Sequence, residues 1–217
     1  MQLYVDLDGT LIDVAARHYK AYSTIAHELG FAPLSFGRYW SLKRSAKTVA
    51  QILAESEAVN YINGFKRMWL RLIEQDQYLD SDTLLPGATM VLQKLRIKHT
   101  LVLVTLRRSK SALIRQMERL QLTPHFDKII SAPPSGAHAQ CKASLIRRNG
   151  ATPVAVVVGD TEADILAGKT LGLISCAVTT GLRSVEFLTE LKPDYIMDSI
   201  ADVPIIAEVA MSANSRR

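Results

Sequence analysis

Leu3-Tyr4-Val5-Asp6-Leu7-Asp8-Gly9-Thr10-Leu11 is the stretch that decides the fold. Three strand formers run into carboxylates at i and i+2, and a Gly-Thr pair ends the run. In an α/β sheet, ligands sit outside the carboxyl ends of the strands, so Asp6 and Asp8 are expected at the mouth of a site. Side chains alternate faces along a strand, but Gly9 permits a sharp turn that lets both carboxylates reach one pocket. Two carboxylates this close repel unless a cation or a shared proton relieves them. The stretch therefore implies a divalent metal, an acid/base pair, or both. An acidic turn capping a helix is the plain structural alternative.

Beyond Leu11 the spacing becomes helical. Ala15, Ala16, Tyr19, Tyr22, Ile25, Ala26 and Leu29 recur at i+3/i+4, and Gly30 stops the run. Pro33 to Lys47 reads as irregular. Helical spacing returns at Val49, Ile52 and Leu53, and again over Tyr61, Phe65, Met68, Trp69, Leu72 and Ile73. No strand pattern is visible between residues 14 and 83, which marks 14–83 as an inserted helical module. The core is then 1–13 and 84–217. From Pro86-Gly87 onward, apolar strands alternate with helices. Strands are expected over 100–105, 126–131, 154–158, 173–178 and 195–197. Helices are expected over 109–122, 140–149 and 162–171, and from Ile200. That alternation means a parallel sheet covered by helices on both faces, an α/β core carrying a small all-helical insertion.

Composition narrows the class. The 217 residues suit one large domain or a domain with an insertion, and 48% apolar content supports a sizeable core and argues against disorder. Cys141 and Cys176 fit no metal spacing or disulfide framework. No apolar run reaches the roughly 20 residues of a membrane span. The chain starts directly in a strand without the basic region of a secretory leader, so a cytoplasmic setting is expected. The net charge of +5 comes from scattered Lys and Arg, with Arg216-Arg217 as the terminal cluster. It reads as a solvated surface plus a pocket that attracts anions, and nucleic acid is not the expected partner.

Further positions carry chemistry. Thr105 ends an apolar strand, where a hydroxyl and turning amides suit phosphate oxygens. Lys142 stands near a helix start and can reach phosphate or carboxylate as a point charge. Val158-Gly159-Asp160-Thr161-Glu162-Ala163-Asp164 delivers two carboxylates one helical turn apart. Each has a bland reading: a cap threonine, a surface lysine, an N-cap at Asp160 with a dipole-paired acidic first turn.

In that order, Asp6-x-Asp8-Gly9-Thr10, Thr105, Lys142 and Gly159-Asp160 followed by Asp164 resemble the four motifs of the haloacid dehalogenase-like hydrolase superfamily. Ile165-Leu166-Ala167-Gly168-Lys169-Thr170-Leu171-Gly172 resembles its phosphoglycolate phosphatase and β-phosphoglucomutase branch. The resemblance implies a Rossmann-like core with 14–83 as its helical cap. It implies Asp6 as nucleophile, forming an aspartyl-phosphate, and Asp8 as acid/base. It further implies Mg2+ on Asp6, the Asp8 carbonyl and Asp160, supported by Asp164, with Thr105 and Lys142 on the phosphoryl oxygens. The expected substrate is a small phosphorylated metabolite, phosphoglycolate-like or a sugar phosphate, handled by a monomer or homodimer. A phosphomutase on the same scaffold and a non-catalytic binding protein are the alternatives. Arg17, His18, Lys43, Arg44 and Arg107 are candidates to contact the leaving group or phosphate.

Overall fold

The computed structural model describes residues 1–214; Arg216 and Arg217 lie outside them. The chain enters through β1 (Gln2–Val5), turns at Gly9, and makes the two-residue β2 (Ile12–Asp13). α1 (Ala15–Leu29) follows, and Gly30, at φ 80°, closes it. α2 (Phe36–Arg44) corrects the irregular reading of 33–47. Ser35 caps it, its hydroxyl accepting from the Arg38 amide, while Tyr39 and Leu42 alone are buried. Two buried positions, with Gly37 and Ser41 between their neighbours, leave too faint a stripe to read.

α3 (Val49–Ala54) starts in a reciprocal capping box between Thr48 and Gln51. α4 (Ile62–Leu72) and the single-turn α5 (Asp76–Leu79) complete the insertion. β3 (Thr83–Leu84) then runs antiparallel to β2, with Ile12 opposite Leu84. A ladder of two residues is too short for a period-2 signal. Between these strands α1–α4 pack on a cluster of their own around Tyr22, Ile25, Tyr39, Leu53 and Phe65.

The rest alternates as expected: α6 (Ala88–Arg96), β4 (Thr100–Thr105), α7 (Lys110–Arg119), β5 (Lys128–Ser131), α8 (His138–Arg148), β6 (Val156–Gly159), α9 (Glu162–Thr170) and β7 (Ile174–Val178). α10 (Val185–Glu190), which the sequence reading passes over, precedes β8 (Tyr195–Met197) and α11 (Val203–Asn214). The six-stranded sheet runs β5-β4-β1-β6-β7-β8, parallel throughout. Period-2 alternation sorts its side chains. Leu3, Val5, Leu101, Leu103, Val156 and Val158 pack with α6 and α7, whereas Tyr4, Val102, Val104 and Val157 pack with α8 and α9. Both faces are covered, which is why these strands read as continuous apolar runs. Among the described residues, no helix is long and apolar enough to cross a membrane.

Candidate active site

β4, β1 and β6 are neighbours in the sheet, and the chain leaves all three at one edge. Strand order reverses around β1, so a crevice opens where its two neighbours diverge. Asp6 extends β1, its amide donating to the Val158 carbonyl at 2.9 Å. Thr105 ends β4, and Asp160 follows Gly159 at the end of β6.

Carboxylate oxygens of Asp6, Asp160 and Asp164, all buried, lie within 4.8 Å of one another. Lys142 of α8 is buried beside them, with Nζ 3.0 Å from Asp6 Oδ1 and 2.5 Å from Asp164 Oδ1. Three carboxylates against one ammonium leave two uncompensated negative charges when all are ionised. Burial, with Asp164 and Asp8 adding repulsion, therefore pushes the Asp6 carboxyl up to about 7 despite Lys142. Burial and the Asp6 and Asp164 charges raise Asp160 well above the usual carboxylate range. For Lys142 burial works downward, but Asp164 and Asp6 outweigh it and keep the ammonium charged.

The oxygens of this cluster are not all spoken for. Asp164 Oδ2 accepts from the Thr161 amide and hydroxyl, which makes Thr161 the helix cap and corrects the reading of Asp160 in that role. Asp160 Oδ2 accepts from the Leu182 amide at 2.6 Å, while its Oδ1 is buried with no hydrogen-bond partner. An orphan buried acceptor beside two more carboxylates, short of two positive charges, fits a hard divalent cation such as Mg2+. The backbone is cut to that shape: a Cβ on Gly9 or Gly181 would overlap the Asp160 carboxylate, and one on Gly159 would overlap Asp164.

Asp8 belongs to a second cluster. Its Oδ1 lies 2.9 Å from Arg17 Nη2 and accepts from Arg107 Nη2 at 2.7 Å. Arg17 Nε is 3.3 Å from Asp82 Oδ1. Arg107 also donates to Gln116, and Gln116 donates to Asp82 at 2.6 Å. Burial alone would raise the Asp8 carboxyl, but Arg107 and Arg17 outweigh it and hold the group well below the usual range.

Both clusters open into one cavity of about 600 Å³, which Thr105, Arg17, His18 and Arg107 also line. Lys43 and Arg44 do not line it. Lys43 Nζ sits 5.6 Å over the Trp69 ring, and burial brings its ammonium down to about 8. Arg44 donates to the Thr179 carbonyl at 3.0 Å. His18 is buried edge-on to Trp40 and Trp69; burial and the Lys43 and Arg17 charges keep its imidazole neutral. Sequence reasoning misses Leu182, Asp82 and Gln116. Thr180-Gly181 after a buried strand is a turn signal for the first; Asp82 and Gln116 carry no local signal.

A family model described as haloacid dehalogenase-like hydrolase matches residues 3–172. The chain is 25% identical over 201 residues to a phosphoglycolate phosphatase of Synechococcus elongatus, covering 91% of this chain and 92% of that one. It is 23% identical over 205 residues to the pyrophosphatase PpaX of Oceanobacillus iheyensis, at 91% and 92% coverage. A haloacid dehalogenase-like family hydrolase from Streptococcus pneumoniae superposes with a TM-score of 0.77 at 22% identity, covering 94% of this chain and 97% of that one. The last is a likeness of fold.

Proposed function

This chain belongs to the haloacid dehalogenase-like hydrolases, and on that footing we propose that it is a Mg2+-dependent phosphatase acting on a small phosphomonoester through an aspartyl-phosphate on Asp6. The observation that carries the reading is the buried Asp6–Asp160–Asp164 cluster, short of positive charge and holding an unpartnered Asp160 oxygen. Asp6, the Asp8 carbonyl and Asp160 would hold the ion, with Asp164 supporting. When bound, Mg2+ supplies the positive charge that lets a carboxylate and a phosphate dianion approach.

The chain's own residues do the rest. An Asp6 carboxylate oxygen bonds to phosphorus as the ester P–O bond breaks. Lys142 and Thr105 hold the phosphoryl oxygens, and fixed charge aimed at the transferring group supplies most of the rate. Asp8 gives a proton to the departing oxygen, then takes one from the water that displaces Asp6 from phosphorus. The Arg17–Arg107 pair favours the second of these duties by holding Asp8 ionised; the first requires Asp8 to take up a proton as substrate enters, with both guanidiniums still paired to Asp82. Residues 14–83 act as a cap over the core of 1–13 and 84–217. The short β2–β3 ladder where the chain leaves and returns, and α4 residues in the cavity wall, support this. Cap closure would exclude water from the intermediate until the leaving group has gone.

Phosphate release from a panel of phosphomonoesters, with and without Mg2+, tests the reading. Asp6→Asn is expected to abolish release while preserving the circular dichroism spectrum of the fold. Retention of a few per cent of the activity by that variant would overturn covalent catalysis by Asp6.

A further inference from the structure

We infer that the phosphate ester this site accepts carries an apolar leaving group, a phosphomonoester of a hydrophobic alcohol or phenol. The inference rests on the phosphatase reading and names the substrate class of the same cavity. Asp6, Thr105 and Lys142, the groups assigned to the phosphoryl, line the cavity. The insertion supplies Val49, Phe65, Trp69, Leu70 and Ile73 to the lining. Phe65, Trp69 and Ile73 follow one another at i+4 and form one stripe of α4 and its end. Leu70 is 49% exposed, a large apolar side chain left bare beside a cavity. Leu106, Pro134, Ala163 and Leu182 add apolar lining from the core.

The cations that could read a second anionic group on the substrate are engaged elsewhere. Arg17 and Arg107 are held on Asp8 and Asp82, Lys43 lies over the Trp69 ring, and Arg44 is tied to Thr179. Lys66, Arg108 and His138 also line the cavity but are exposed, so water screens them. The volume, about 600 Å³, lies within the roughly 300–1,000 Å³ span of sites that enclose drug-sized ligands. A phosphate on a two-carbon acid would leave most of the apolar wall bare. Transfer of an apolar group from water to such a wall favours binding by about fourfold per buried methylene.

The experiment compares 2-phenylethyl phosphate with ethyl phosphate, primary-alcohol esters of similar basicity, on the Mg2+-loaded protein, with phosphoglycolate alongside. We expect kcat/KM for the phenylethyl ester to exceed that for ethyl phosphate by at least about 10-fold, mainly through KM. Leu70→Lys, at an exposed position that leaves the fold intact, should cut that ratio about fivefold or more; Trp69→Ala should do so from the buried side. Lys66→Ala should leave the preference standing. Equal rates for the two alkyl esters, or phosphoglycolate as the best substrate with a loss on Lys66→Ala, would overturn the inference and leave the phosphatase reading in place. Absence of turnover on every ester would overturn the phosphatase reading instead. Calorimetric titration of the same two alkyl esters would then decide the preference by itself, equal affinities overturning it.

Discussion

Asp160 concentrates the electrostatic problem of this protein in one side chain. One of its oxygens takes the Leu182 amide and the other faces two more carboxylates with no donor of its own. Leaving a buried acceptor unmade costs about 1–3 kcal/mol, more when it is charged. A bound cation removes that cost, so Mg2+ should raise the melting temperature of the wild type, by the equivalent of about 2.7 kcal/mol at 100 times Kd. In Asp160→Asn that rise should shrink, and the Mg2+ concentration for half-maximal activity should increase at least about 10-fold. A thermal melt with a Mg2+ titration checks both, and an unchanged titration removes Asp160 from the metal site. The neighbouring glycines belong to the same problem. Gly9 sits at φ 73° where any side chain would also collide with Asp160, so conformation and space both demand the smallest residue.

α1 does more than start the insertion. Its Arg17 is 1% exposed and joins Asp8, at the sheet edge, to Asp82, in the segment returning from α5 to β3. Buried ion pairs contribute little net stability when intact but cost much when half is removed. Arg17→Met keeps the apolar stem and strips Asp82 of its closer cation. It should destabilise by roughly 3 kcal/mol in urea denaturation. Adding Asp82→Asn should restore part of that loss, because the charge left unpaired is gone. A double variant no more stable than the single would break the argument. α4 shows the other use of an element: its apolar stripe both packs in the insertion's own cluster and lines the cavity.

Insertion and core meet at several points in the whole molecule. Glu74 accepts from the Arg108 and Ser109 amides, Ser184 donates to the Arg44 carbonyl, and Arg183 bridges Glu162 and the Lys43 carbonyl. These are polar contacts, which would exchange with water if the insertion moved as the proposed cap. The sheet beneath does not share that freedom. Cys176 in β7 is buried, and burial, with Asp194 nearby, pushes its thiol up to about 12. Cys141 in α8 is half-buried, and hydrogen bonds from Ser135 lower its thiol below the ordinary value. A maleimide at neutral pH should label Cys141 in the native protein and Cys176 only through the unfolding transition. Mass spectrometry of the labelled peptides decides it; equal labelling rates would mean that the sheet opens locally.

Local pattern was enough for the strands of the core sheet. Leu101 to Thr105 and Val156 to Val158 read as buried strands because a parallel sheet covered on both faces needs unbroken apolar runs. The strand ends announced Asp6, Asp8, Thr105 and Asp160 because a charged or hydroxyl residue after such a run has nowhere to go but the sheet edge. Lys142 and Asp164 were legible by their order along the chain, but the 2.5 Å contact between them was not. Tertiary structure alone brought Arg107 onto Asp8 across 99 residues and Asp82 onto Arg17. It also turned one face of α4 toward the cavity and kept Lys43 and Arg44 out of it. Periodicity and capping are set by neighbours within a turn or a pleat, so they are written in consecutive residues. Which buried charges share a space depends on which elements pack together, and no short stretch of the chain carries that information.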